Sequence, residues 1–140
     1  MKNKLSIIPV IIWMLLIFIM SSFNATTSSN QSNFIVDIIT NIFMINNIEL
    51  LSLIIRKLAH YTEYLVLGLL VINMFTKNDL SKKYLISIII CIIYATSDEI
   101  HQLFIPGRSC QIKDIMIDTF GSLTGIYLYK LTNSLKLSKK

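Results

Sequence analysis

The sequence predicts an all-α fold: an integral membrane four-helix bundle with both termini cytoplasmic and one amphipathic segment at the outer interface. Three observations carry this expectation. The 140 residues are 54% hydrophobic with a mean hydropathy of +0.64, more apolar than the surface of a soluble domain of this size allows. The apolar residues, isoleucine foremost, gather in four runs long enough to cross a hydrocarbon layer of ~30 Å as helices. The charged residues, 15% of the chain, cluster in short stretches instead of being spread over one helical face. A chain of this length holds one domain, residues 1–140.

The first span, LSIIPVIIWMLLIFIMSSF over residues 5–23, follows Lys2 and Lys4. A cleaved signal peptide is the competing reading. The run is long for one, and no small-x-small cleavage site precedes the ATTSSNQS stretch, so a retained signal-anchor helix is favoured. Pro9 reads as a tolerated kink. Residues 24–33, NATTSSNQSN, read as a polar loop. Next, FIVDIITNIFMINNIE, residues 34–49, sets Asp37, Thr40, Asn41 and Asn47 at helical spacing against a broad Ile/Phe/Met face. That pattern suits an amphipathic helix lying at the interface, with the outer end of the next span as the alternative.

The second span covers residues 56–75, and the turn TKNDLSKK (76–83) follows. The third covers 84–104, then the loop IPGRSCQIK with a tight Pro106-Gly107 turn, and the fourth covers 114–131 before the basic tail TNSLKLSKK. Lysine and arginine set the orientation. With both ends inside, the inner segments hold nine (Lys2, Lys4, Lys77, Lys82, Lys83, Lys130, Lys136, Lys139, Lys140) and the outer ones four (Arg56, Lys57, Arg108, Lys113). The net charge of +5 comes without a basic face interleaved with aromatics, so nucleic acid is not expected as a partner. Cys91, inside an apolar run, and Cys110, in a loop, differ in depth and do not suggest a disulfide.

One stretch breaks the apolar character. SDEIHQLFIPGRSCQIKDIMID, residues 97–118, carries four acidic groups, a histidine, an arginine and a lysine. In the expected topology the second helix enters from outside at Arg56, with His60 and Glu63 roughly 6 and 10 Å deeper. The third helix ends outside with Asp98, Glu99, His101 and Gln102, and the fourth enters with Asp114 and, about 6 Å deeper, Asp118. Three helices thus bring ionisable groups to one depth. Arg56, His60 and Glu63/Tyr64 share a stripe, as do Asp98, His101 and Gln102, with Glu99 turned about 100° away. Gly121 and Gly125 form a GxxxG pair beneath Asp114 and Asp118, which admits a neighbouring backbone.

Charged groups in a bilayer are costly, so they neutralise one another or line a wet cavity. Mutual pairing, His60 and Arg108 balancing Glu63, Asp98 and Asp118, is the bland alternative. The number of charges favours a pocket.

The blocks RKLAHYTEYLVLGLL (56–70) and TSDEIHQLFIPGRSCQIKDIMIDTFGSLTGI (96–126) resemble the VanZ-like family of small bacterial membrane proteins. The patterns K-x-x-H-x-x-E-Y, S-D-E-x-x-Q-x-F-x-P-x-R and D-x-x-x-D-x-x-G occur in order, over about a third of the chain. They match at Lys57, His60, Glu63, Tyr64, Asp98, Glu99, Gln102, Pro106, Arg108, Asp114, Asp118 and Gly121. Cys110 stands where a small residue such as glycine is usual. The resemblance implies a multi-pass plasma-membrane protein linked to low-level resistance to the glycopeptide teicoplanin, and it supplies no agreed reaction.

Two classes of function follow. As an enzyme on a membrane lipid or lipid-linked envelope precursor, the protein would use His60, Glu63, Asp98, Glu99 and Asp118 as catalytic groups. His60 would be the acid/base, oriented by Glu63 or Asp98. Arg56, Lys57, Tyr64, Gln102, Arg108 and Asp114 would bind substrate, the arginines gripping a phosphate or carboxylate bidentately. Ser97, Ser109 and Cys110 are candidate nucleophiles without a distinctive setting, and an activated water needs none. As a binding protein, it would hold a headgroup, an envelope precursor or the antibiotic's acyl chain without turnover. A transporter or flippase subunit is a third reading, for which four spans are thin. His60, Glu63, Asp98, Glu99, His101, Asp114 and Asp118 could also ligate a divalent cation, but pairing with the local arginines and lysines suits them equally, and no metal site is assigned. The sequence leaves cofactor and oligomeric state open.

Overall fold

A computed structural model describes residues 4–43, 47–75 and 82–138. These form five helices: α1 (Lys4–Ser21), α2 (Ala25–Phe43), α3 (Ile48–Met74), α4 (Lys83–Gln102) and α5 (Ile112–Ser138). Most of the expected 76–83 turn, together with Lys2, Lys77, Lys139 and Lys140, lies outside the described residues.

Helices α1, α3, α4 and α5 run alternately up and down. The C-terminal ends of α1 and α4 therefore meet the N-terminal halves of α3 and α5. The Ser22 hydroxyl and His101 Nε2 are hydrogen-bonded at 3.1 Å, and Gln111 N donates to Glu99 Oε2 at 2.8 Å across the α4–α5 turn. Below this end, Trp13 Nε1 donates to the Glu63 carbonyl at 2.8 Å, and the Tyr94 hydroxyl donates to the Met14 carbonyl. These two bonds fasten α1 to the bundle, with Val10 and Ile17 buried against Tyr64, Leu67, Val71, Cys91 and Ala95.

The tightest packing joins α3 and α5. A Cβ added to Gly121 or Gly125 would overlap the carbonyls of Tyr61 or Leu65, and one added to Gly68 would overlap the carbonyl of Ser122. Each helix thus sets a small residue against the other's backbone, as the GxxxG spacing anticipated.

The stretch expected to be a loop, residues 24–33, is helical from Ala25 onward. The cause is the cap. Asn24 Oδ1 accepts from Thr27 N at 2.9 Å, satisfying an amide that would otherwise be orphaned, and from the Thr26 hydroxyl at 2.8 Å. The predicted amphipathic segment 34–49 is divided. Its first part continues α2, whereas Ile48 and Glu49 open α3 behind Asn47, whose side chain accepts from Leu50 N at 3.1 Å. Helix α3 therefore starts eight residues before the predicted span, and α5 runs on through the basic tail to Ser138.

Helix α2 leaves α1 at 102°. Its start sits on the α4–α5 turn, where Ala25 N donates to the Pro106 carbonyl at 3.3 Å and Gly107 adopts φ 76°. Among the described residues, α4 alone is long and apolar enough to cross a membrane, and the bent pair α1–α2 makes a second only if counted as one span. The polar residues Arg56, Lys57, His60 and Glu63 lower the hydropathy of α3, and Lys113, Asp114, Asp118 and Lys130 that of α5. The outer surface is nevertheless apolar. On α1, Ile7, Ile8, Ile11, Ile12, Leu15, Leu16 and Ile19 are all exposed, more than an aqueous surface carries in one patch.

Candidate functional site

The crowded polar end is built by four helices, each giving residues from one or two turns. Helix α3 contributes Arg56, Lys57, His60, Glu63 and Tyr64, and α4 contributes Asp98, Glu99 and Gln102. Helix α5 contributes Asp114 and Asp118, the α4–α5 turn Arg108, and the end of α1 Ser21. Asp98, Glu99, Gln102, Asp114 and Asp118 are all buried, and His60 nearly so. The fold brings these groups of α3, α4 and α5 to one end of the bundle, where Lys57 meets Asp114, His60 lies beside Asp118 and Glu99 reaches Gln111.

Their partners divide them into two groups. In the first, side chains are committed to partners within the protein, most of them on another helix. Lys57 forms an ion pair with Asp114, tying α3 to the first turn of α5. Glu99, with no exposed surface, spends Oε2 on the amide of Gln111 just ahead of α5. That is an N-terminal cap supplied from another helix. Gln102 Nε2 donates to Asp98 Oδ2 at 3.4 Å, within α4. His101 stacks on Phe18 with ring centroids 4.5 Å apart, which turns it toward α1.

The Lys57–Asp114 pair allows a test of this division. Replacing Lys57 by methionine leaves a buried carboxylate without its cation. The expected cost is about 3 kcal/mol, the low end for buried pairs because the lysine side chain is 23% exposed. The double variant Lys57→Met/Asp114→Leu should recover most of the loss, read as thermal unfolding of the purified protein in micelles.

The second group surrounds a half-open cleft of about 160 Å³ bounded by Met20, Ser21, Ser28, Ile35, Ile55, Arg56, Ala59, His60, Glu63 and Arg108. His60 Nδ1 lies 3.5 Å from Asp118 Oδ1. The carboxylate closest to the imidazole is therefore Asp118, and not Glu63 or Asp98 as the sequence suggested, because α5 is drawn against α3 by its glycines. Both Asp118 oxygens, Asp98 Oδ1 and Glu99 Oε1 are buried without a hydrogen-bond partner among the described residues. Tyr64 is fully buried with its hydroxyl likewise unpartnered, its ring 6.2 Å from that of Tyr94.

Arg56 and Arg108 converge on the cleft, and among the described residues neither forms an ion pair with a carboxylate. Burial and then the neighbouring Arg56 charge lower the Arg108 pKa, partly offset by Asp98, Glu99 and Glu63. An arginine remains charged regardless. Arg108 Nε is buried and unpartnered. Two guanidiniums thus border one small opening that Glu63 also lines, an arrangement of side chains that can take an anion.

Of the expected binding residues, Arg56 and Arg108 thus line the cleft together with His60 and Glu63. Lys57 and Asp114 face each other instead, and Tyr64 and Gln102 are packed behind. Among the described residues, no group of three His, Cys, Asp or Glu side chains is arranged to hold a metal ion. Sequence reasoning missed Ser21 and Ser28. The first ends the apolar run of α1, and the second sits in what read as a loop and reaches the cleft through the 102° turn between α1 and α2.

The model of the VanZ/LLP1 family matches residues 6–133, a span that includes every residue of the polar end. No curated protein and no solved structure matches the chain.

Proposed function

Starting from the chain's membership of the VanZ/LLP1 family, we propose that it is a multi-pass protein of the bacterial plasma membrane that binds and modifies the anionic headgroup of a lipid or lipid-linked envelope precursor. In this reading α1, α3, α4 and α5 cross the bilayer with both termini inside, in keeping with the nine-to-four partition of basic residues. Helix α2, at 102° to α1, then lies along the outer interface, and the cleft opens in the outer leaflet.

The observation that carries the reading is the pairing of two functions in one cleft. Arg56 and Arg108, lacking carboxylate partners, are placed to take a phosphate or carboxylate. His60, backed by Asp118 on Nδ1, is placed to move a proton at its other nitrogen. Asp118, with a carboxylate oxygen 3.5 Å from Nδ1, offsets the imidazolium charge. Glu63, on the same cleft, is a second proton acceptor or can orient a water. Altered envelope lipids or precursors at the outer face would account for the glycopeptide link that the family resemblance implies.

The experiment is a pair of substitutions, His60→Ala and His60→Gln, in a teicoplanin-sensitive host with membrane amounts matched. An enzyme loses its effect with both. A protein that only binds keeps it with glutamine, which preserves size and hydrogen bonding. That second result would remove the catalytic half of the proposal.

A further inference from the structure

We infer that the cleft is loaded from the lipid phase: an anionic lipid enters sideways through the gap between α1 and α3, beneath α2, and seats its phosphate between Arg56 and Arg108. The inference rests on the cleft being a headgroup site and adds the substrate class and its route.

The exposure of the cleft's walls defines its mouth. Ser21 and His60 are buried, so they form the floor, and Arg56, Glu63 and Arg108 are half-buried along the sides. The exposed wall residues are Met20, Ile35 and Ala59. One comes from each of α1, α2 and α3, and all are apolar. An opening meant for a soluble anion would carry polar or basic side chains at its rim, which concentrate the ligand. On α1 this rim adjoins the exposed side chains of Leu16 and Ile19, one turn and one residue before Met20.

A second hollow supports the same route from the other side. Beyond Arg56 lies a cavity of about 500 Å³ whose walls include Asn33, Glu49, Ser52, Lys57 and Gln111. Arg56 is the wall common to both spaces. The protein thus offers an apolar portal, a pair of guanidiniums and, beyond Arg56, an open hollow of mixed character in which Glu49, Ser52 and Gln111 stand beside Ile48 and Leu53. A phospholipid has the matching order of acyl chain, phosphate and polar head. Inorganic phosphate or a soluble sugar phosphate would leave the portal unused.

The test uses the full-length protein in phosphatidylcholine nanodiscs, with phosphatidic acid as the lipid probe and glycerol 3-phosphate as its chain-free counterpart. Phosphatidic acid is expected to bind saturably. Glycerol 3-phosphate should bind about two orders of magnitude more weakly, the worth of a few methylenes buried at the portal. Ala59→Trp, on an exposed position where bulk does not disturb the core, should weaken lipid binding about tenfold or more by filling the portal. Met20→Trp provides an independent block from the α1 side. Lipid binding unchanged in both variants, or glycerol 3-phosphate binding as tightly as the lipid, would overturn the lateral route and point to loading from water. Lipid binding unchanged in Arg56→Gln/Arg108→Gln would remove the headgroup site itself, and the route with it.

Discussion

Gly121→Leu is expected to eliminate the folded protein from the membrane. At this position a Cβ would overlap the backbone carbonyl of Tyr61. A carbonyl in the middle of α3 cannot swing aside as a flexible side chain can, so α5 must back away from α3 along its length. Overpacking a well-fitted contact costs about 1–3 kcal/mol where neighbours relax, and more where they cannot. A cost of at least about 3 kcal/mol is expected here, and it falls on the seam that presents Asp118 to His60. The readout is the amount of protein in the membrane fraction, with Leu123→Ala as a control on an exposed face of the same helix. Normal accumulation of Gly121→Leu would show that the α3–α5 seam is looser than its geometry indicates.

His60→Ala is expected to leave the amount of protein unchanged and to abolish its effect on the envelope. The imidazole stands at the floor of an open cleft with a single close carboxylate, so its removal leaves space that water can fill. A positioned acid/base typically contributes about 10²–10⁴-fold to turnover, and a loss of that size should erase any difference in the lipid extract between expressing and non-expressing cells. The lipid profiles would be compared by mass spectrometry at matched expression. A His60→Ala profile identical to wild type, where wild type differs from the empty host, would take His60 out of the chemistry.

The architecture was legible where apolar runs were long and uniform. Helices α1 and α4 fall within a few residues of their expected bounds because each is built on an apolar run, residues 7–20 and 88–95, that only a membrane or a core explains. The first part of α2, residues 25–33, was hidden because Ser, Thr and Asn favour turns, until one of them, Asn24, becomes a cap and the rest follow as a helix that runs into the expected segment from 34. For the site, helix rise gave depth and periodicity gave the face of each helix taken singly. Neither gives the rotation of one helix against another. That rotation, set between α3 and α5 by Gly68, Gly121 and Gly125, decides that His60 meets Asp118 and that Lys57 meets Asp114.

The same pairings separate a working site from a framework. Lys57, Asp114 and Glu99 have partners on a neighbouring helix or its lead-in, whose removal would loosen the packing. Arg56 and Arg108 have none of that kind among the described residues, and they repel one another. Proteins tolerate such unfavourable arrangements where function requires them, and relieving them tends to stabilise the fold.

The most direct measurement is therefore the unfolding temperature of the purified full-length protein and of Arg56→Gln/Arg108→Gln, each with and without phosphatidic acid. If the cleft is a headgroup site, the double variant unfolds at the same or a higher temperature than wild type, and the lipid raises the transition of wild type alone. A double variant that unfolds at a clearly lower temperature, yet still gains stability from the lipid, would show that the two arginines hold the helices together and that the ligand binds elsewhere.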